Sequence, residues 1–196
     1  MDVCVNRKKE ITGASFTLHP MSDDFARIIK ESLNKTDTSN VWMETDDVTT
    51  TIRGDVVHVF DVTQAIVYYA AQTGQHISFH VTYSYGCPGD SEADTYLGAN
   101  DTPTNVNNIK VDKQYAAAKF SLYPLKNESY MDVIYQQIEL MKEYVDVTPV
   151  HYATKLEGDL LRIFTGLEKV FTTTIHQGST HTVMTADFSV NSPSHE

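Results

Sequence analysis

The chain has 196 residues, 41% of them hydrophobic, which suits one large domain or two small ones with a real core. Its formal net charge of -11 lacks the basic footprint that nucleic-acid binding needs, and no run approaches the roughly 18 to 20 apolar residues of a membrane span. With only Cys4 and Cys87, and no apolar stretch near Met1, the expectation is a cytoplasmic chain without a disulfide framework, in which the sequons at Asn34, Asn100 and Asn127 are chance matches.

Taken in chain order, Ala14, Phe16 and Leu18 alternate with Ser15, Thr17 and His19, which predicts a half-buried strand closed by Pro20. Asp23 and Asp24 then signal a helix start, with Phe25, Ile28, Ile29 and Leu33 at helical spacing behind them. Two short β-prone runs, 41–45 and 49–52, flank Asp46 and Asp47. Gly54 and Asp55 open a second helix whose apolar side carries Val56, Val59, Phe60, Ile66 and Tyr69. Across 77–85 the alternation is strict, with Phe79, Val81, Tyr83 and Tyr85 set against Ser78, His80, Thr82 and Ser84, and a Gly-Cys-Pro-Gly turn at 86–89 ends it.

The same series then recurs. Phe16 to Pro20 reappears as Phe120 to Pro124, and Gly54-Asp55 as Gly158-Asp159, both 104 positions on; His76 and Pro88 map on His181 and Pro193 at 105. The second series predicts a strand over 118–124, a helix from Glu128, strands near 147–152 and 153–156, a helix over 159–176 and a strand over 181–190. The order β-α-β-β-α-β, read twice, predicts an α+β fold made by tandem duplication of a ferredoxin-like unit, with antiparallel sheets carrying helices on one face. The expected division is a first repeat over 10–90, a linker over 91–113 and a second repeat over 114–196, with part of the linker ordered against the body because it exceeds ordinary loop length.

The strand alternates that face away from the helices are, Lys119 apart, hydroxyl, imidazole and carboxylate groups: Ser15, Thr17, His19, His80, Thr82 and Ser84 in the first copy, Lys119, Ser121, Tyr123, Thr185, Asp187 and Ser189 in the second. Such a set suits a partly covered face that offers hydrogen bonds to a small ligand, and equally an ordinary exposed or dimer-buried face rich in good strand formers. Motifs for catalysis are weaker. His76 and His80 lie four residues apart on a strand, which separates them by roughly 13 Å, too far to share a metal. His176 and His181 lack further ligands for a zinc set, and the acidic stretch from Asp90 to Asp94 lacks the spacing of a calcium loop. Cys87 sits in a turn, and a thiol nucleophile would need a positioned histidine that only a fold can show. No cofactor or metal is expected.

The stretches Leu18-His19-Pro20-Met21-Ser22-Asp23-Asp24-Phe25, Lys35-Thr36-Asp37-Thr38-Ser39 with Val41-Trp42, Arg53-Gly54 and His58-Val59-Phe60-Asp61 resemble the YkoF-type thiamin/hydroxymethylpyrimidine (HMP)-binding family. So do Gly86-Cys87-Pro88-Gly89-Asp90 with Asp94-Thr95-Tyr96-Leu97, Val150-His151-Tyr152-Ala153, Gly158-Asp159 and Asn191-Ser192-Pro193-Ser194. The resemblance covers almost the whole chain. It implies two ferredoxin-like repeats in a homodimer that binds thiamin and its pyrimidine precursor HMP without catalysis, in thiamin salvage or transport. An aminopyrimidine offers an amine donor, ring-nitrogen acceptors and a flat apolar face, and the thiazolium of thiamin adds a positive charge. On that chemistry the expected ligand-binding residues are Thr17, Trp42, Thr50, His80, Thr82 and Ser84 in the first repeat, with Ser121, His151, Tyr152, Thr185, Asp187 and Ser189 in the second. Two other readings stay open, an enzyme acting on a thiamin precursor and a structural or regulatory dimer without a small ligand.

Overall fold

Alternating segments become strands and helically spaced ones become helices. Their order is β1 (Ile11–Pro20), α1 (Phe25–Lys35), β2 (Trp42–Thr45), β3 (Thr50–Asp55), α2 (Val56–Ala71), β4 (Ile77–Tyr85), β5 (Tyr115–Leu125), α3 (Tyr130–Met141), β6 (Asp146–Val150), β7 (Ala153–Asp159), α4 (Leu160–His176) and β8 (His181–Val190). This computed structural model describes residues 11–87, 101–110, 113–125 and 127–195. Each half is a split β-α-β-β-α-β unit with its strands in the order second, third, first, fourth. The two units are joined edge to edge: β4 pairs antiparallel with β8, and all eight strands form one sheet in the order β2-β3-β1-β4-β8-β5-β7-β6. Val81 lies opposite Ala186, its own equivalent at the offset of 105, so the seam is centred on the symmetry of the duplication.

The four helices lie in a row, α1 on α2, α2 on α4 and α4 on α3, across one face of the sheet. Gly54-Asp55 and Gly158-Asp159 act as expected at the starts of α2 and α4. The Asp55 carboxylate accepts from the Val57 N–H at 3.4 Å, and that of Asp159 from the Leu161 and Arg162 N–H groups at 3.1 and 3.2 Å. Beneath the helices one core spans both repeats. Phe60 stacks on Tyr83 with ring centres 4.1 Å apart, and their equivalents Phe164 and Phe188 stack at 4.7 Å. Phe171 reaches across the seam to Phe60 and Tyr83, at 5.8 and 6.1 Å.

Of the expected linker, 101–110 and 113 are among the described residues; the remainder, with Cys4 and the acidic stretch from Asp90 to Asp94, lies outside them. Residues 104–110 pack on the first repeat. Asn105 is buried and bridges the Asp61 carboxylate of α2 to the backbone of Asp37 beyond α1. Ile109 is buried too, and the Tyr68 hydroxyl donates to the Lys110 carbonyl at 2.9 Å.

The two cores differ at one polar pair. Tyr83 and Thr63 share a buried hydroxyl contact of 2.9 Å, whereas the equivalent positions hold Phe188 and Leu167. Burial pushes the Tyr83 hydroxyl well above its ordinary range. Above about pH 10 the unfolded chain therefore loses a proton that the folded chain keeps, and stability falls as pH rises. We expect Tyr83→Phe to flatten that alkaline loss in urea melts. At pH 7 the single change should cost about 1 kcal/mol, and the Tyr83→Phe/Thr63→Leu pair close to nothing, because both polar partners are then removed together.

Candidate functional site

The strand β1 outruns its neighbour. Its pairing with β3 ends at Phe16 opposite Thr50, which leaves 17–19 facing the β2–β3 hairpin and helix α1 across a crevice. The second repeat does the same, with β5–β7 pairing ending at Phe120 opposite Thr154. The first crevice has a volume of about 170 Å³ and is walled by Thr17, His19, Ile29, Leu33, Thr45, Asp46 and Val48, with Thr50 at its floor. The second reaches about 750 Å³, walled by Ser121, Tyr123, Tyr130, Met131, Ile134, Tyr135, Ile138, Val150 and Tyr152, with Thr154 at its floor.

Equivalent positions explain the contrast in chemistry. Asp46 becomes Val150, Val48 becomes Tyr152 and His19 becomes Tyr123; on the helices, where buried Ile28 and Ser32 match buried Val133 and Gln137 at an offset of 105, Ala26 and Lys30 become Met131 and Tyr135. The first crevice is the smaller and the more polar of the two, the second large and aromatic. Asp46 serves its own turn: its carboxylate accepts from the Val48 and Thr49 N–H groups at 2.7 and 2.8 Å, and the backbone bonds from Thr49 and Val48 hold its carboxyl below the usual carboxylate range. Tyr152 sits at the tip of the β6–β7 hairpin in left-handed backbone geometry (φ 65°) and is 99% exposed. The Ser121 hydroxyl donates to the Tyr152 carbonyl at 3.2 Å, tying that tip to β5.

Thr50 and Thr154 are both buried. The Thr50 hydroxyl meets that of Thr45 at 2.9 Å. Pro149 occupies the position equivalent to Thr45, and the Thr154 hydroxyl makes no side-chain hydrogen bond among the described residues. Thr154 is thus a buried residue at the floor of an open crevice.

Of the residues expected from the sequence, Thr17 and Thr50 line the first crevice, and Ser121 and Tyr152 the second. His151 is beside Tyr152 on the hairpin, with ring centres 6.3 Å apart, and is exposed. Trp42 is half-buried on β2, opposite Arg53. The remaining six lie on the open face of the two central strands, away from both crevices. There His80 Nδ1 meets Asp187 Oδ1 at 2.6 Å, Thr82 pairs with Thr185, and Ser189 Oγ meets His76 Nε2 at 2.9 Å. Ser84 donates to Cys87 Sγ at 3.1 Å. Tyr123, read in the sequence as part of the polar strand set, lines the second crevice; Tyr130, Tyr135 and Met131 carry no such signal on the strands. The available signal was the surplus of apolar residues on α3, where Met131 and Tyr135 stand at positions that α1 fills with Ala26 and Lys30. No group of three His, Cys, Asp or Glu residues arranged for a metal occurs among the described residues.

A model of the YKOF-related Family matches this chain twice, over residues 11–90 and 115–195. The chain belongs to that family. A Bacillus subtilis (strain 168) relative is 43% identical over 185 residues, which span 94% of this chain and 92% of the relative. It carries the name "Putative HMP/thiamine-binding protein YkoF". No helix among the described residues of this YKOF-related chain is long and apolar enough to cross a membrane.

Proposed function

We propose that the chain binds thiamin and HMP, with one site in each α/β crevice. The observation that carries this reading is the recurrence of the crevice at equivalent positions, each with a buried threonine at its floor, Thr50 or Thr154. A threonine hydroxyl can both donate to a ring nitrogen and accept from an exocyclic amine, the pair of bonds an aminopyrimidine needs. Aliphatic groups from α1 or α3, Ile29 and Leu33 or Ile134 and Ile138, supply a surface for the flat ring. The name of the Bacillus relative supports the same ligand class.

On this reading the chain carries its ligand in thiamin salvage or transport, in the cytoplasm, and does not turn it over. It does so as a homodimer through the open sheet face that bears Trp42, Lys119 and the His80–Asp187 pair. Light scattering of the purified chain at micromolar concentration tests the dimer, and a monomer mass removes it.

Calorimetric titration with HMP and with thiamin tests binding itself. We expect saturable heat from both, with Thr50→Val and Thr154→Val each weakening its own site about fivefold, the worth of roughly one hydrogen bond of 1 kcal/mol. Thr82→Ala and Asp187→Ala separate the crevices from the open face. Unchanged affinity in both assigns the ligand to the crevices, whereas a loss in both moves it to the central strands.

A further inference from the structure

The β4–β8 seam ends in a second cluster, apart from the two crevices. Gly86, at φ 83°, follows β4 and passes directly against the Thr180 carbonyl, so closely that a side chain there would collide with it. This tight passage lays Cys87 over the start of β8. Its Sγ is exposed, lies 3.1 Å from His181 Nε2, and accepts a hydrogen bond from the Ser84 hydroxyl, also at 3.1 Å. Cys87 and His181 are 94 positions apart in the chain, so the pair exists only through the seam.

We propose that Cys87 and His181 form a reactive thiol–imidazole pair, a modification site at which a hydroperoxide oxidises the sulfur and a small-molecule thiol then caps it. The chemistry requires a nucleophile, a base within hydrogen-bond reach and open access, and the single chain presents all three; the proposed homodimer must therefore leave this end of the open face uncovered. His181 Nε2 takes the thiol proton. The sulfur electron pair attacks the terminal peroxide oxygen, the O–O bond breaks, and the departing alkoxide takes the proton back from His181 as an alcohol. Sulfur is oxidised by two electrons to sulfenic acid and the peroxide is reduced by two. A small thiol then displaces hydroxide from that sulfur, which leaves with the thiol's proton as water, and a mixed disulfide remains. The Ser84 O–H, directed at sulfur, stabilises the charge that develops there.

The site also adjoins the second crevice. His181 is the register partner of Leu125 on β5, and Val183 that of Tyr123, both crevice residues. Capping of Cys87 would therefore place a bulky group one strand away from that rim.

The test uses the full chain carrying Cys4→Ser, so that Cys87 is the single thiol. Hydrogen peroxide followed by dimedone, read by intact mass, should give one adduct, and Cys87→Ser should abolish it. Iodoacetamide alkylation at pH 7 should run at least tenfold faster than that of N-acetylcysteine and slow about tenfold in His181→Gln. Above about pH 9, where a thiol ionises unaided, the two rates should converge. Equal rates in the parent and His181→Gln at pH 7, or a parent rate no faster than N-acetylcysteine, would overturn the proposal. The comparison with N-acetylcysteine needs no seam variant and stands even if His181→Gln misfolds.

Discussion

Asp61→Ala is expected to lower stability by about 3 to 5 kcal/mol, a fall in melting temperature on the order of 10 °C for a chain of this size. Asp61 is 6% exposed, and its two carboxylate oxygens hold the 104–106 segment against α2. Oδ2 accepts from the Thr104 N–H and hydroxyl at 3.1 and 3.4 Å, and from the Asn105 N–H and side-chain amide at 2.9 and 2.8 Å. Oδ1 accepts from the Val106 N–H at 3.1 Å. Removal of the carboxylate strands these donors together, Asn105 among them fully buried. It also loosens the bridge to Asp37, because Asn105 loses the partner that orients it. Asp61→Asn gives the sharper reading. Its carbonyl oxygen can keep the four Oδ2 bonds and loses only that from Val106, where an amide N–H now opposes another N–H. About 1 kcal/mol is expected for Asn, measured by urea melts of both variants. Equal losses for Ala and Asn would mean that negative charge, and not the geometry of the acceptors, holds the segment.

The aspartate was visible in the sequence only as part of a motif, and this marks where pattern reading stops. Periodicity and the 104-residue offset recover the element order, because alternation and helical spacing are local properties of the chain. Gly54-Asp55 and Gly158-Asp159 are legible for the same reason, since an N-cap bonds within three residues. The β4–β8 seam is not local. Strands with the alternation of 77–85 and 181–190 look identical whether the edge meets its own second copy, another molecule or water. The central polar set lies on the face expected, and the two crevices described lie elsewhere, beside α1 and α3. Those crevices depend on where β1 and β5 lose their partners, at Phe16 and Phe120, which is a matter of register and leaves no periodic trace. Thr50 is legible as a strand-start residue and Thr154 as its equivalent at the 104-residue offset, whereas Tyr130 and Tyr135 require the three-dimensional wall to be seen.

The contrast between the two crevices makes the ligands separable. Pockets for drug-sized ligands occupy about 300 to 1,000 Å³, a range that includes the second crevice and excludes the first at about 170 Å³. On the proposed function, HMP should fill both and thiamin only the second. There the exposed faces of Tyr123, Tyr130, Tyr135 and Tyr152 suit a thiazolium cation, at about 0.5 to 2 kcal/mol per well-placed ring. Ile134 and Ile29 occupy equivalent wall positions on α3 and α1, half-buried in each case, and a tryptophan at either adds bulk to the space that the ligand needs. Ile134→Trp should therefore abolish thiamin binding, a loss of more than tenfold or at least 1.4 kcal/mol, and reduce HMP from two equivalents to one. Ile29→Trp should leave thiamin unchanged and likewise remove one equivalent of HMP. Calorimetry on both variants, with melting curves to confirm the fold, reads all four outcomes. If Ile29→Trp instead destroys thiamin binding, the β2–β3 hairpin must open to admit two rings. Selectivity would then reside in the motion of the Asp46 turn rather than in the aromatic wall of the second repeat.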